Sequence, residues 1–117
     1  MTNNIQFSSV CGIDIAKSVM QVYRVTSDGV VSNKAVKRAD FLNEFRNTPP
    51  ALIGMEACGG SQHWARELQS LGHTVRLMPP KLVKPYVTGL KNDKNDARGI
   101  YTCLLYTSPS PRDYAAS

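Results

Sequence analysis

Asp14, Glu56, Asp93 and Asp96 are the residues of this chain whose types and spacing could do chemistry. Asp14 lies inside Gly12-Ile13-Asp14-Ile15-Ala16, an apolar stretch in which an unpaired charge is costly to bury, so something cationic is expected to face it. Lys17 is one candidate. A divalent metal is the sharper one, because hard Mg²⁺ (or Mn²⁺) takes oxygen ligands and binds through carboxylates and substrate phosphates. Paired ions of this kind can clamp the attacking and leaving oxygens of a phosphodiester. Glu56 closes an apolar run, and Asp93 and Asp96 have the spacing that puts both on one helical face. Each carboxylate also has a plainer role. Asp93 and Asp96 suit the first turn of a helix, where they complement its dipole. Glu56 suits a solvated loop edge, and Asp14 a strand-end ion pair. The four together favour a shared cation site.

The elements that must position these groups can be read from hydrophobic periodicity. Residues 10–15 form a short apolar segment, and residues 19–25 mix β-branched and aromatic side chains in the manner of a strand. Ser27-Asp28-Gly29 supplies a turn, and residues 30–36 return, giving a three-strand meander. Phe41, Leu42 and Phe45 recur at helical spacing within residues 39–46, before Thr48-Pro49-Pro50 stops the pattern. Residues 51–56 suit a parallel strand covered on both faces. After the corner Ala57-Cys58-Gly59-Gly60, Ser61 is placed to cap a helix carrying Trp64, Ala65, Leu68 and Leu71, with Gly72 just past its end. Residues 74–78 read as a strand closed by Pro79-Pro80, residues 81–90 as basic and irregular, and residues 92–101 as weakly helical. The resulting order, β-β-β-α-β-α-β-α, is that of an RNase H-like α/β sheet, whose strand carboxyl ends are where ligands gather.

With 117 residues there is room for one domain and one modest core. No apolar run approaches the roughly 18 residues that span a bilayer. The polar start lacks the pattern of a secretory signal, so a cytoplasmic protein is expected. Cys11, Cys58 and Cys103 are too scattered for a disulfide framework and are read as reduced thiols. A net charge of +5 favours polyanions. Lys81, Lys84, Lys91, Lys94 and Arg98, with Tyr86 among them, form either a phosphate-contacting stretch leading into the Asp pair or a solvated basic face. Gly59-Gly60-Ser61 could cradle a phosphate at a helix start, and a simple strand-to-helix corner explains it equally well. His63 is read as surface and Trp64 as core.

Three motifs carry a resemblance: Gly12-Ile13-Asp14-Ile15-Ala16-Lys17, then Met55-Glu56-Ala57-Cys58-Gly59-Gly60-Ser61, then Lys91-Asn92-Asp93-Lys94-Asn95-Asp96-Ala97. They resemble the motifs of DEDD insertion-sequence transposases, the family one-ten group that includes the pilin-gene inverting recombinases. His63-Trp64-Ala65-Arg66-Glu67-Leu68 and the stretch from Gly72 to Lys81 are similar to the group as well. The resemblance implies an α/β fold, an RNase H-like (RuvC-like) mixed sheet flanked by helices, here truncated. It implies that Asp14, Glu56, Asp93 and Asp96 form a Mg²⁺-binding (or Mn²⁺-binding) catalytic tetrad for phosphodiester cleavage and strand transfer on insertion-sequence DNA. It further implies a structured guide RNA, a homo-oligomer in the full-length parent, no membrane partner, and nucleoid association in a bacterium or archaeon. Family members carry a second domain with a nucleophilic serine. Nothing in this sequence matches it, so the piece is expected to be inactive alone in strand exchange. Two other readings compete: a non-catalytic nucleic-acid-binding module of the same fold, and a sugar-kinase-like phosphotransferase, which would need nucleotide-binding motifs that this sequence lacks.

The expected organisation is a flexible N-terminus at 1–8, the RNase H-like domain at 9–102 and a non-native tail at 103–117. The last segment, with Pro109 and Pro111, resembles a reading frame through a sequencing-library adapter and shows no periodic pattern. Native sequence is therefore expected to end near Thr102.

Overall fold

A computed structural model describes residues 7–87 and 93–107, with side chains in the last segment described from Asp96 onward. The first three strands form the expected meander. Strand β1 (Ser9–Ile15) pairs antiparallel with β2 (Val19–Thr26), and β2 with β3 (Val31–Lys37). The β2–β3 turn uses Gly29 at φ +87°, a backbone conformation that residues bearing a Cβ rarely adopt. A 3₁₀ turn over Arg38–Asp40 leads into the short helix α1 (Phe41–Arg46). Strand β4 (Leu52–Glu56) then runs parallel to β1, and helix α2 (Ser61–Ser70) carries the chain to β5 (Thr74–Met78), parallel to β4. The sheet order is β3-β2-β1-β4-β5, so β1 and β4 are neighbours at its centre.

The sheet is covered on both faces, which accounts for the unbroken apolar run at its centre. Alternate residues of a strand point to opposite faces. Cys11, Ile13, Ile53 and Met55 therefore pack with Phe41, Phe45, Trp64 and Leu68 of α1 and α2. Leu52 faces the other way, into a cluster with Met78, Val83, Ile100, Cys103 and Leu104. Those last residues come from helices α3 (Pro80–Val87) and α4 (Asp93–Thr107). The result is a three-layer α/β/α sandwich. Among the described residues no helix is long and apolar enough to cross a membrane.

Three local expectations need correction. Lys81–Val87 is not irregular, because Pro80 sits in the first helical turn, where its missing N–H costs nothing, and Leu82, Val83, Tyr86 and Val87 then recur on one face. Residues 88–90, the rest of that stretch, lie outside the described residues. Ser61 does not cap α2. Its hydroxyl donates to the Cys58 carbonyl oxygen (2.8 Å) and accepts from the Cys58 N–H (3.0 Å), closing the β4–α2 corner upon itself. The helix expected over 92–101 begins at Asp93 and continues to Thr107. It thereby crosses the boundary placed at Thr102, because Cys103 and Leu104 continue the buried face begun by Ala97 and Ile100. Residues 1–6 and 108–117, the bulk of the two expected terminal segments, lie outside the described residues. Trp64 is buried and His63 exposed, as read from the sequence.

Two features hold the layers in register. His73, 4% exposed, accepts the Ala51 N–H at Nδ1 (3.1 Å), so Nε2 carries the proton and donates to the Phe45 carbonyl oxygen (2.9 Å). One imidazole thus ties α1, β4 and β5 together. Gly12 brings β1 against α4: a methyl group on its Cα would overlap the Ala97 carbonyl oxygen and the Tyr101 amide nitrogen. Replacing His73 by Leu strands two buried backbone groups and should cost about 2 kcal/mol or more. Gly12→Ala should be at least as damaging, since its obstacle is helix backbone. Urea denaturation of both variants checks these outcomes, and a loss below about 0.5 kcal/mol, the scatter of neutral surface changes, would contradict them.

Candidate functional site

The carboxylates gather at one end of the sheet because of strand register. Gly12 pairs with Gly54 across the parallel β1–β4 ladder, and Ile13 with Met55. Asp14 and Glu56 come next, each two residues beyond a glycine that faces α4, and so on that same face. Both are half-buried. They stand at the carboxyl ends of adjacent parallel strands, where an open sheet leaves a crevice.

Helix α4 packs on the same face. Its backbone from Ala97 to Tyr101 lies on Gly12, and a Cβ at Gly54 would meet Leu104 side-chain carbons at 2.9 Å and 3.2 Å. The helix therefore passes over the two central strands, and its first turn carries half-buried Asp96. Asp93 is the first residue of α4, and its side chain lies outside the described residues, as do those of Lys91 and Lys94. Among the described residues, no group of three His, Cys, Asp or Glu side chains is close enough to hold a metal ion together. The donor set nonetheless suits Mg²⁺, which is usually bound by one or two carboxylates and completes its octahedron with water and substrate oxygens. Lys17, the alternative counter-charge for Asp14, is exposed beyond the end of β1.

Sequence reasoning passed over one residue of this neighbourhood. Gln21 is directly cross-strand from Asp14, is 8% exposed and donates from Nε2 to Asn33 Oδ1 at 2.7 Å. Its signal was a lone amide between Met20 and Val22, at the strand position that shares the carboxylate face. Below it, Tyr23 and Tyr101 pack with ring centroids 5.0 Å apart. Burial raises the Tyr101 phenol above its ordinary value, with Tyr23 and Cys11 adding to the effect, so the hydroxyl stays neutral at physiological pH.

Of the basic residues expected to contact phosphate, Lys81 and Lys84 are exposed on α3 and Arg98 is exposed on α4. They belong to the helical layer that covers the carboxylate face.

Comparison with known proteins assigns the architecture. No protein-family profile matches the chain. A family 20 transposase of Pseudomonas aeruginosa is 50% identical over 102 residues, covering 86% of this chain and 30% of the relative. The transposase for insertion sequence element IS1111A of Coxiella burnetii is 40% identical over 92 residues, covering 78% of this chain and 25% of the relative. The chain is homologous to insertion-sequence transposases. The IS1328 transposase of Yersinia enterocolitica, 32% identical, extends the match over 87% of this chain. The chain spans about 30% or less of the length of these curated relatives. The Thermus thermophilus RuvC structure superposes with a TM-score of 0.53 at 16% identity, covering 84% of this chain and 93% of that one. The fold is accordingly RNase H-like.

Like charges on adjacent strands repel in the absence of a cation. Asp14→Asn or Glu56→Gln should therefore raise the melting temperature in metal-free buffer. Unchanged or lower melting of both variants, followed by circular dichroism with chelator present, would remove the case for a shared site.

Proposed function

We propose that this segment is the metal-binding catalytic part of a DNA transposase, with Asp14, Glu56, Asp93 and Asp96 as its tetrad. The reading is carried by one observation: Asp14 and Glu56 emerge on the same face of neighbouring parallel strands, the face on which the helix that bears the Asp pair is packed. A divalent ion held there, Mg²⁺ or Mn²⁺, would polarise a phosphodiester and stabilise charge on the attacking and leaving oxygens. The protein's part is to fix the carboxylate geometry on two rigid strands and one helix. Lys81, Lys84, Lys91, Lys94 and Arg98 would neutralise backbone phosphates and hold a DNA strand along the helical layer.

For the longer parent protein the proposal extends, by family resemblance, to a second domain bearing the serine nucleophile. Strand transfer on insertion-sequence DNA, a structured guide RNA, homo-oligomeric assembly and action in the cytoplasm at the nucleoid belong to that parent. The present segment alone is proposed to bind metal and DNA without completing strand exchange.

Calorimetric titration with Mn²⁺ tests the reading. The unaltered chain should bind the ion, and Asp14→Asn or Glu56→Gln should weaken binding by tenfold or more. Lys81→Gln should leave it unchanged. Equal Mn²⁺ affinity in all four proteins would instead make the domain a non-catalytic nucleic-acid-binding module.

A further inference from the structure

A second group of cations lies at the carboxylate end of the sheet, around the β1–β2 turn. The β1–β2 turn, Ala16-Lys17-Ser18, follows directly upon the end of β1, two residues beyond Asp14. Arg38 braces this turn: its backbone N–H donates to the Ser18 carbonyl oxygen (3.0 Å) and its Nη1 donates to the Ala16 carbonyl oxygen (2.9 Å). The guanidinium carbon also sits 5.2 Å from the centre of the Trp64 ring, a cation–π contact with α2. Arg38 is nevertheless exposed, and a guanidinium has five N–H donors in a rigid fork suited to phosphate. Lys37, paired in register with Val19 at the far side of the same turn, is exposed, as is Lys17 at its centre. Asp40 is the nearest acidic residue in sequence and is also exposed.

We propose that Lys17, Lys37 and Arg38 form a phosphate-binding ledge for the DNA strand whose scissile bond enters the carboxylate site. The inference rests on the transposase reading of that site and adds a binding surface to it. Its chemistry is that of a backbone clamp: three cations around one turn, one of them held in place by a hydrogen bond and an aromatic ring before the ligand arrives. The ledge lies beside Asp14, whereas Lys81, Lys84 and Arg98 lie on the helical layer. A strand held between this turn and the helical layer would cross the ends of β1 and β4 with its phosphates over the acidic pair.

The test is fluorescence anisotropy of a labelled DNA duplex of arbitrary sequence against the full chain, measured over a series of salt concentrations. Arbitrary sequence suffices because phosphate contacts carry no base information. The slope of log K against log salt falls in magnitude by about 0.9 for each duplex phosphate that the protein no longer neutralises. The double variant Lys17→Gln/Lys37→Gln should therefore bind more weakly and lower the slope by nearly two. Both side chains are exposed, so its fold should be unaffected, and circular dichroism verifies this. Arg38→Gln alone should lower the slope by about one. Unchanged affinity and slope in the double variant would overturn the ledge. So would the absence of DNA binding by the unaltered chain, or variants that weaken binding of an RNA of the same sequence but not of the DNA. Mn²⁺ affinity, measured in the same variants, stays at the level of the unaltered chain if the ledge is a DNA surface only. Loss of that affinity together with DNA binding would overturn the ledge as a separate surface, whereas normal Mn²⁺ binding with no effect on DNA leaves the carboxylate reading standing.

Discussion

The backbone of α4 rests on β1 because Gly12 has no side chain, and much of the structure depends on that approach. The contact is made by main-chain atoms of Ala97 and Tyr101, so no rotamer change could make room for a methyl group. Gly54, the register partner of Gly12 on the neighbouring strand, lets Leu104 down onto β4 in the same way. The helix is thereby seated on both central strands, on the face that carries Asp14 and Glu56. The parallel register of those strands brings Asp14 and Glu56, far apart in the chain, to one end of the sheet.

The same approach explains why the two faces of the sheet differ. The face under α1 and α2 is filled by large side chains, with Phe41, Phe45 and Trp64 in edge-to-face contact at 5.3–5.5 Å. It supplies the larger of the two core clusters. The face under α4 gives up side-chain volume at two glycines and accepts polar groups at Asp14, Gln21 and Glu56. One side of the sheet is built for packing. The other is built for access by a helix and for the charge that the helix brings with it.

Much of this was legible in the residues. The meander, the apolar central strand, the amphipathic helix around Trp64 and the order of the elements follow from periodicities that local sequence carries. Gly72, at φ +97° just past α2, ended its helix where expected. Less legible was α3, whose two prolines argue locally against helix. Pro80 falls where a missing N–H is harmless, while Pro85 lies inside a helix whose Val83 is buried against α4. The length of α4 was also hidden, since Cys103 and Leu104 reveal their helical face only when β4 and β5 lie beneath them. Gln21 and Arg38 were missed for a related reason. Each matters through a neighbour that register or a turn supplies, and neither belongs to a motif.

The sequence by itself determined the five strands and their order, helices α1 and α2, the glycines at close-packing positions and the acidic residues at the ends of strands. Local chain chemistry, through side-chain periodicity and turn propensity, is sufficient for those. The tertiary structure alone decided that Asp14 and Glu56 share a face and an end. That depends on the parallel pairing of β1 with β4, a contact across some forty residues of chain. It alone placed α4 on that face and Arg38 against the turn beside Asp14, because long-range hydrogen bonds and packing, which no local window contains, set both positions.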